Sequence, residues 1–275
     1  MPLTSGISAG SSPHGARASD ARVAPALIAA LVALAWLSLA GWSASPWQRW
    51  LDHGGWADTA WLAEICRSLP QGERIGPPLA YATAWLLMIT AMMLPTTLPL
   101  LAIFRRIVGE RHDAGALVAG LLAGYAVAWL GFGIVVYGID VAVRELATSG
   151  WLLAHGWVVG AVVIGTAGAF QFSALKYRCL ERCRSPFGFV NARWRGRRPL
   201  AESVQLGIAH GLFCVGCCWA LMLITFVVGM GNIGWMLIVA AAMAAEKNLR
   251  WGARLRTPFG AALLLWAAGI VVANA

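Results

Sequence analysis

Residues 203–231 read SVQLGIAHGLFCVGCCWALMLITFVVGMG and contain no Asp, Glu, Lys or Arg. About twenty apolar residues are enough to cross roughly 30 Å of hydrocarbon as a helix. The stretch therefore reads first as a membrane span. The rest of the chain agrees: of 275 residues, 59% are apolar and 12% charged, against about 45–50% and 25% in an ordinary soluble domain. Mean hydropathy is +0.69, more apolar surface than one water-facing core could hide. Low charge excludes a disordered chain, aperiodic glycine excludes collagen, and six cysteines are too few for a disulfide-stapled secreted domain. The net charge of +9 is no argument for a nucleic-acid partner, because Lys and Arg gather in the cytoplasmic loops of membrane proteins.

Seven apolar runs stand out, at 25–43, 79–104, 115–139, 151–175, 204–230, 234–246 and 258–273. The last two are short. Seven spans with the amino terminus inside place 17 Lys and Arg in inner loops and 4 in outer ones, an asymmetry that supports N-in and C-out. A six-span alternative would put Lys247, Arg250, Arg254 and Arg256 outside. The expected fold is thus all-α, a polytopic transmembrane helix bundle of about seven spans. Its expected parts are a flexible cytoplasmic tail over 1–24, a first span with a Trp-rich extracytoplasmic loop over 25–78, and a six-helix membrane domain over 79–275. That domain carries a basic cytoplasmic loop at 176–203. The first run is too long for a signal-peptide core and reads as an uncleaved span. Trp47, Trp50, Trp56 and Trp61 suggest that the 44–78 loop lies at the interface. No internal repeat is evident.

Polar and soft side chains within the spans need a reason, because lipid offers them no partners. In the opening stretch His210, Cys214, Cys217 and Cys218 fall at i, i+4, i+7 and i+8, one stripe of a helix, and Met222 continues it. Thiolate and thioether donors suit Cu(I) and other soft ions. The alternative is that Cys packs as a small hydrophobe and His bonds a neighbouring carbonyl. On the second run Trp85, Met88 and Met92 form another stripe, with Pro95 and Pro99 opening the helix nearby and Met93 off the stripe. Met236 and Met243, seven residues apart, could join the same interior.

After the fourth run comes LKYRCLERCRSPFGFVNARWRGRRP, in which Cys179 and Cys183 lie one helical turn apart among basic residues. The pair is a candidate for metal exchange or for redox chemistry, since nearby cations favour thiolate. Glu246 and Lys247 read as members of an ion pair at the inner face. His155 and Gln171 read as hydrogen-bonding groups between helices. Gly160, Gly165, Gly168, Gly120, Gly124, Gly131 and Gly133 are expected to allow close helix packing. No catalytic triad, phosphate loop, dinucleotide fingerprint or zinc-protease motif occurs, and whether the chain is an enzyme stays open.

Three blocks occur in order: W-x2-M-x3-MM-x-P at Trp85–Pro95, K-x2-CL-x2-CR-x-P at Lys176–Pro186, and H-G-x2-C-x-GCCW-x2-M at His210–Met222. Short G-M, W-M and E-K matches follow between Gly229 and Lys247. Over roughly residues 80–270 the chain resembles a bacterial family described as predicted metal-binding integral membrane proteins. The resemblance implies a multi-helix fold in the bacterial cytoplasmic (inner) membrane. It also implies a metal site at His210, Cys214, Cys217 and Cys218, with Met88 and Met92 as companions. The leading expectation is a protein in the lipid bilayer that binds, inserts or moves a soft metal ion, copper first, exchanging it with a metal-donor or metal-acceptor protein. A membrane oxidoreductase using a cysteine pair or bound metal, and a non-catalytic assembly subunit, are the alternatives. Oligomerisation stays open.

Overall fold

The computed structural model describes residues 14–45, 76–147, 155–229 and 232–274, and every regular element among them is helical. In chain order these are α1 (His14–Ser43), α2 (Gly76–Met92), a 3-10 turn (Leu94–Thr97), α3 (Leu98–Val108), α4 (Ala114–Ala147) and α5 (Trp157–Phe170). They are followed by α6 (Ala174–Arg184), α7 (Pro186–Arg193), α8 (Pro199–Val228), α9 (Ile233–Asn248) and α10 (Gly252–Asn274). The helix of α1 reaches back to His14, into the stretch expected to be a tail. The tryptophans of the 44–78 loop and Cys66 lie outside the described residues.

Among the described residues, four helices are long and apolar enough to cross a membrane: α1, α4, α8 and α10. Two more arise if each bent pair counts as one span, α2 with α3 across a 49° bend and α5 with α6 across a 64° bend. Length separates the two short runs of the sequence. The last grows to 23 residues because its helix starts at Gly252 and passes through Pro258. α9 stops at 16 residues, about 24 Å at 1.5 Å per residue, and is shorter than the hydrocarbon core.

α8 is the centre of the bundle. Of its span, 56% is buried, against 11% for α1 and for α10. Its neighbour α4 lies so close that Gly124 sits on the Val204 carbonyl and Gly207 on that of Leu121, where any Cβ would collide. Small residues let backbones approach in this way, which matters in a bilayer because apolar side chains gain nothing there by leaving lipid. Gly168 plays the same part between α5 and α10, against Leu264 and the Gly260 carbonyl. Gly133 receives the Trp85 indole of α2, whose Nε1 donates to the Trp129 carbonyl at 2.9 Å. Gly131 differs from expectation: a Cβ there would meet no other element within 4 Å.

The stretch read as a basic loop at 176–203 is folded: it contains most of α6, all of α7 and the start of α8. Ser173 starts α6 by accepting the Lys176 N–H on its hydroxyl at 3.1 Å, the usual work of a helix N-cap. Pro186 and Pro199 occupy first-turn positions, where a missing N–H costs nothing. Glu202 then gathers the loop between α7 and α8, its carboxylate accepting backbone N–H bonds from Arg195, Gly196, Arg197 and Arg198.

Candidate functional site

The stripe of α8 turns inward as a whole. His210, Cys214, Cys217, Cys218 and Met222 are all buried. The three thiols and Met222 share one core cluster with Met88, Met92, Met93, Met236 and Met243. Met93, which falls off the stripe of α2, is nevertheless fully buried. Its N–H still bonds the Ile89 carbonyl at 2.8 Å, so it continues the helical phase of α2, and the buried face of that helix is wider than the stripe, with Ile89 and Ala91 buried as well.

Around Cys217 the thiols meet pairwise. Its Sγ lies 3.3 Å from that of Cys218 and 3.9 Å from that of Cys183 on α6, and its S–H donates to the Cys214 carbonyl at 3.2 Å. All five described cysteines are free. The 64° bend before α6 brings Cys183 to α8, because it folds the helix back across the bundle rather than letting it leave as a loop. The approach is close: a Cβ on Gly216 would stand 2.6 Å from Cys179 Sγ. Cys179 therefore faces the backbone of α8, while Cys183, one turn later, faces a sulfur. The two cysteines read as a pair in the sequence thus have different neighbours.

Cys214 has another set of partners. Lys247 Nζ donates to its Sγ at 2.9 Å, and the Tyr125 hydroxyl lies 3.1 Å from it. Lys247 also donates to Thr96 Oγ1 at 3.2 Å and reaches Met93 Sδ at 3.8 Å. An ammonium so placed must be accommodated, because a cation buried without partners is costly. Glu246, the residue before it, points elsewhere, accepting a bond from Lys176 Nζ at 2.6 Å, with both side chains buried. An ion pair forms between α6 and α9, but Glu246 makes it with Lys176 and not with the expected Lys247. Lys247 lies outside it and was not legible as a neighbour of thiols.

His210 stands apart from these contacts. Its ring lies between those of Tyr125 and Phe189, at centroid distances of 5.9 and 5.7 Å, and its Nδ1 has no hydrogen-bond partner. Met88 is the companion whose sulfur has a polar neighbour on α8, accepting from Thr225 Oγ1 at 3.7 Å. Gln171, expected to bond between helices, is buried with neither amide atom partnered.

The donors therefore form a chain of contacts rather than a closed shell. Among the described residues, no group of three or more His, Cys, Asp or Glu side chains is arranged to hold a metal ion. The chemistry of the set is soft all the same, with sulfurs from α2, α6, α8 and α9 in one core and one cation beside them.

A family model described as a copper chaperone, PpoB2, matches residues 82–270. That range includes all three motif blocks and every side chain placed above around the thiols. Nothing among the curated proteins or the solved structures matches the chain significantly.

Proposed function

This chain belongs to the copper chaperone family, and from that premise we propose that it is a polytopic protein of the bacterial cytoplasmic membrane that carries Cu(I) on buried thiols. Copper is its cargo, taken from a donor protein or passed to an acceptor. The observation that carries this reading is the meeting of Cys183, Cys217 and Cys218, with sulfur contacts of 3.9 and 3.3 Å bridging two helices. Cu(I) suits such a set because soft thiolates select it, whereas Zn²⁺ in a structural site asks for four ligands.

In this reading Cys217 and Cys218 hold the ion, and Cys183 stands beside the pair on α6, 3.9 Å from Cys217. His210, Cys214, Met222, Met88 and Met92 form the wider pool of donors along the same interior. Cys214 is the least available of the thiols, since the Lys247 ammonium already occupies its sulfur and would repel a second cation there. Binding requires the thiols to lose protons, so uptake is coupled to proton release.

The proposed topology keeps seven spans, amino terminus inside and carboxyl terminus outside, on the Lys and Arg asymmetry. α9 completes that count if the bilayer thins around it. With this orientation the junction of α6, α8 and α9 faces the cytoplasm.

The test is copper uptake by the purified full chain, reduced and supplied anaerobically with Cu(I). Near-stoichiometric binding is expected, and Cys217→Ser combined with Cys218→Ser is expected to abolish it. A folded wild type that takes up no copper overturns the reading. The Cys183–Cys217 contact also favours a second reading, a dithiol that cycles to a disulfide. Thiol counting separates the two: a loss of two reactive thiols on mild oxidation, reversed by reductant, supports the redox role.

A further inference from the structure

Burial is not shared equally among the thiols. Cys179, Cys214, Cys217 and Cys218 are buried, and Cys183 is partly exposed. Cys183 is also the thiol of α6 that touches the buried set, 3.9 Å from Cys217. A soft cation gives up one sulfur as it gains the next, so transfer into a closed core needs a sulfur that both the surface and the interior can reach.

We propose that Cys183 is the exchange ligand through which copper enters and leaves the Cys217–Cys218 pair, an inference that rests on the copper-carrying reading above. In the first step the Cys183 sulfur bonds the ion as the donor's thiolate leaves, and the Cys183 proton goes to that departing group. In the second the Cys217 sulfur takes the ion and its proton passes to Cys183 across the contact between them, and the Cys218 sulfur then bonds the ion as its own proton leaves to water. Copper stays Cu(I) throughout and no electrons move. Release runs the same steps backwards.

The surrounding structure holds Cys183 to this task. The next residue, Arg184, donates to the carbonyls of Glu246, Lys247 and Arg250 and fastens the end of α6 to the end of α9. Gly216 provides the space that lets α6 lie against α8. Cys179 has no part in the exchange, because it is buried against that glycine.

The experiment loads the full-length protein with Cu(I), adds the hydrophilic chelator bathocuproine disulfonate, and follows release by the absorbance of its copper complex. Cys183→Ser is expected to keep its copper and to release it at least tenfold more slowly. Cys183→Met, which restores a soft donor, is expected to recover much of the rate, and Cys179→Ser to release as wild type does. Wild-type release from Cys183→Ser overturns the proposal. So does a Cys183→Ser protein that has lost its copper, because Cys183 would then be a holding ligand. A wild type that binds no copper overturns the copper-carrying reading itself, and this inference with it.

Discussion

Among the described residues two helices break in mid-bundle, and the two breaks differ in origin while meeting at one place. Between α2 and α3 the cause is Pro95, and the hydroxyls of Thr96 and Thr97 bond back to the Met93 and Leu94 carbonyls through the turn. Between α5 and α6 no proline is involved. There α5 ends at Phe170 and Ser173 caps a new helix set off by 64°. The first break delivers Met93 and Thr96 to Lys247; the second delivers Lys176 to Glu246 and Cys183 to Cys217. The adjacent residues Glu246 and Lys247 on α9 thus receive one broken helix each. A break in a membrane helix costs backbone hydrogen bonds, which must be recovered within protein. Here each break also directs polar and soft side chains inward.

The largest expected effect comes from separating the two anchors. Lys176→Met leaves the Glu246 carboxylate buried and unpaired, at a cost of about 3–5 kcal/mol. Lys247→Met removes an ammonium but strands no carboxylate, and about 1–3 kcal/mol is expected. Denaturant unfolding of both variants in detergent measures the difference, and equal losses would break the distinction between the two junctions. Adding Glu246→Leu to Lys176→Met is expected to recover most of the first loss, since replacing a buried pair by apolar groups is often neutral.

A smaller effect is expected where α6 meets α8. Gly216→Val forces side-chain atoms into Cys179, an overpacking cost of about 1–3 kcal/mol, and pushes Cys183 away from Cys217. Oxidative cross-linking of the Cys183–Cys217 pair in this variant is expected to fall well below wild type. Unchanged cross-linking would show that the bend, not the glycine, sets the sulfur contact.

The smallest effect lies outside both junctions. Arg111, between α3 and α4, pairs with Asp113 at 2.8 Å, and its guanidinium holds the exposed carboxyl below the ordinary carboxylate value. A depressed carboxyl pKa contributes stability above the unfolded value and loses it as pH falls through the folded one. Exposed pairs are heavily screened, so Arg111→Ala is expected to leave the neutral-pH unfolding midpoint unchanged. Any difference from wild type should vanish in acid.

Much of the interior was legible in the chain. The i, i+4, i+7, i+8 spacing placed His210 and the three α8 thiols on one buried face, and the seven-residue spacing of Met236 and Met243 placed both of them in the core. Met93 lies off the stripe and is buried all the same, because α2 buries a wider face that also takes in Ile89 and Ala91. Gln171 was misjudged because a polar group near a helix end normally finds a partner, and burial here leaves it none.

By itself the amino-acid sequence determined the helical class, the apolar lengths and the side of α8 that carries sulfur, because period and composition are local properties. Which helices supply the facing groups was decided by tertiary structure. Cys183 meets Cys217 and Lys247 meets Cys214 across separations of 34 and 33 residues, and no local pattern encodes such contacts. They depend on where two breaks redirect the chain and on the glycines that let helices close.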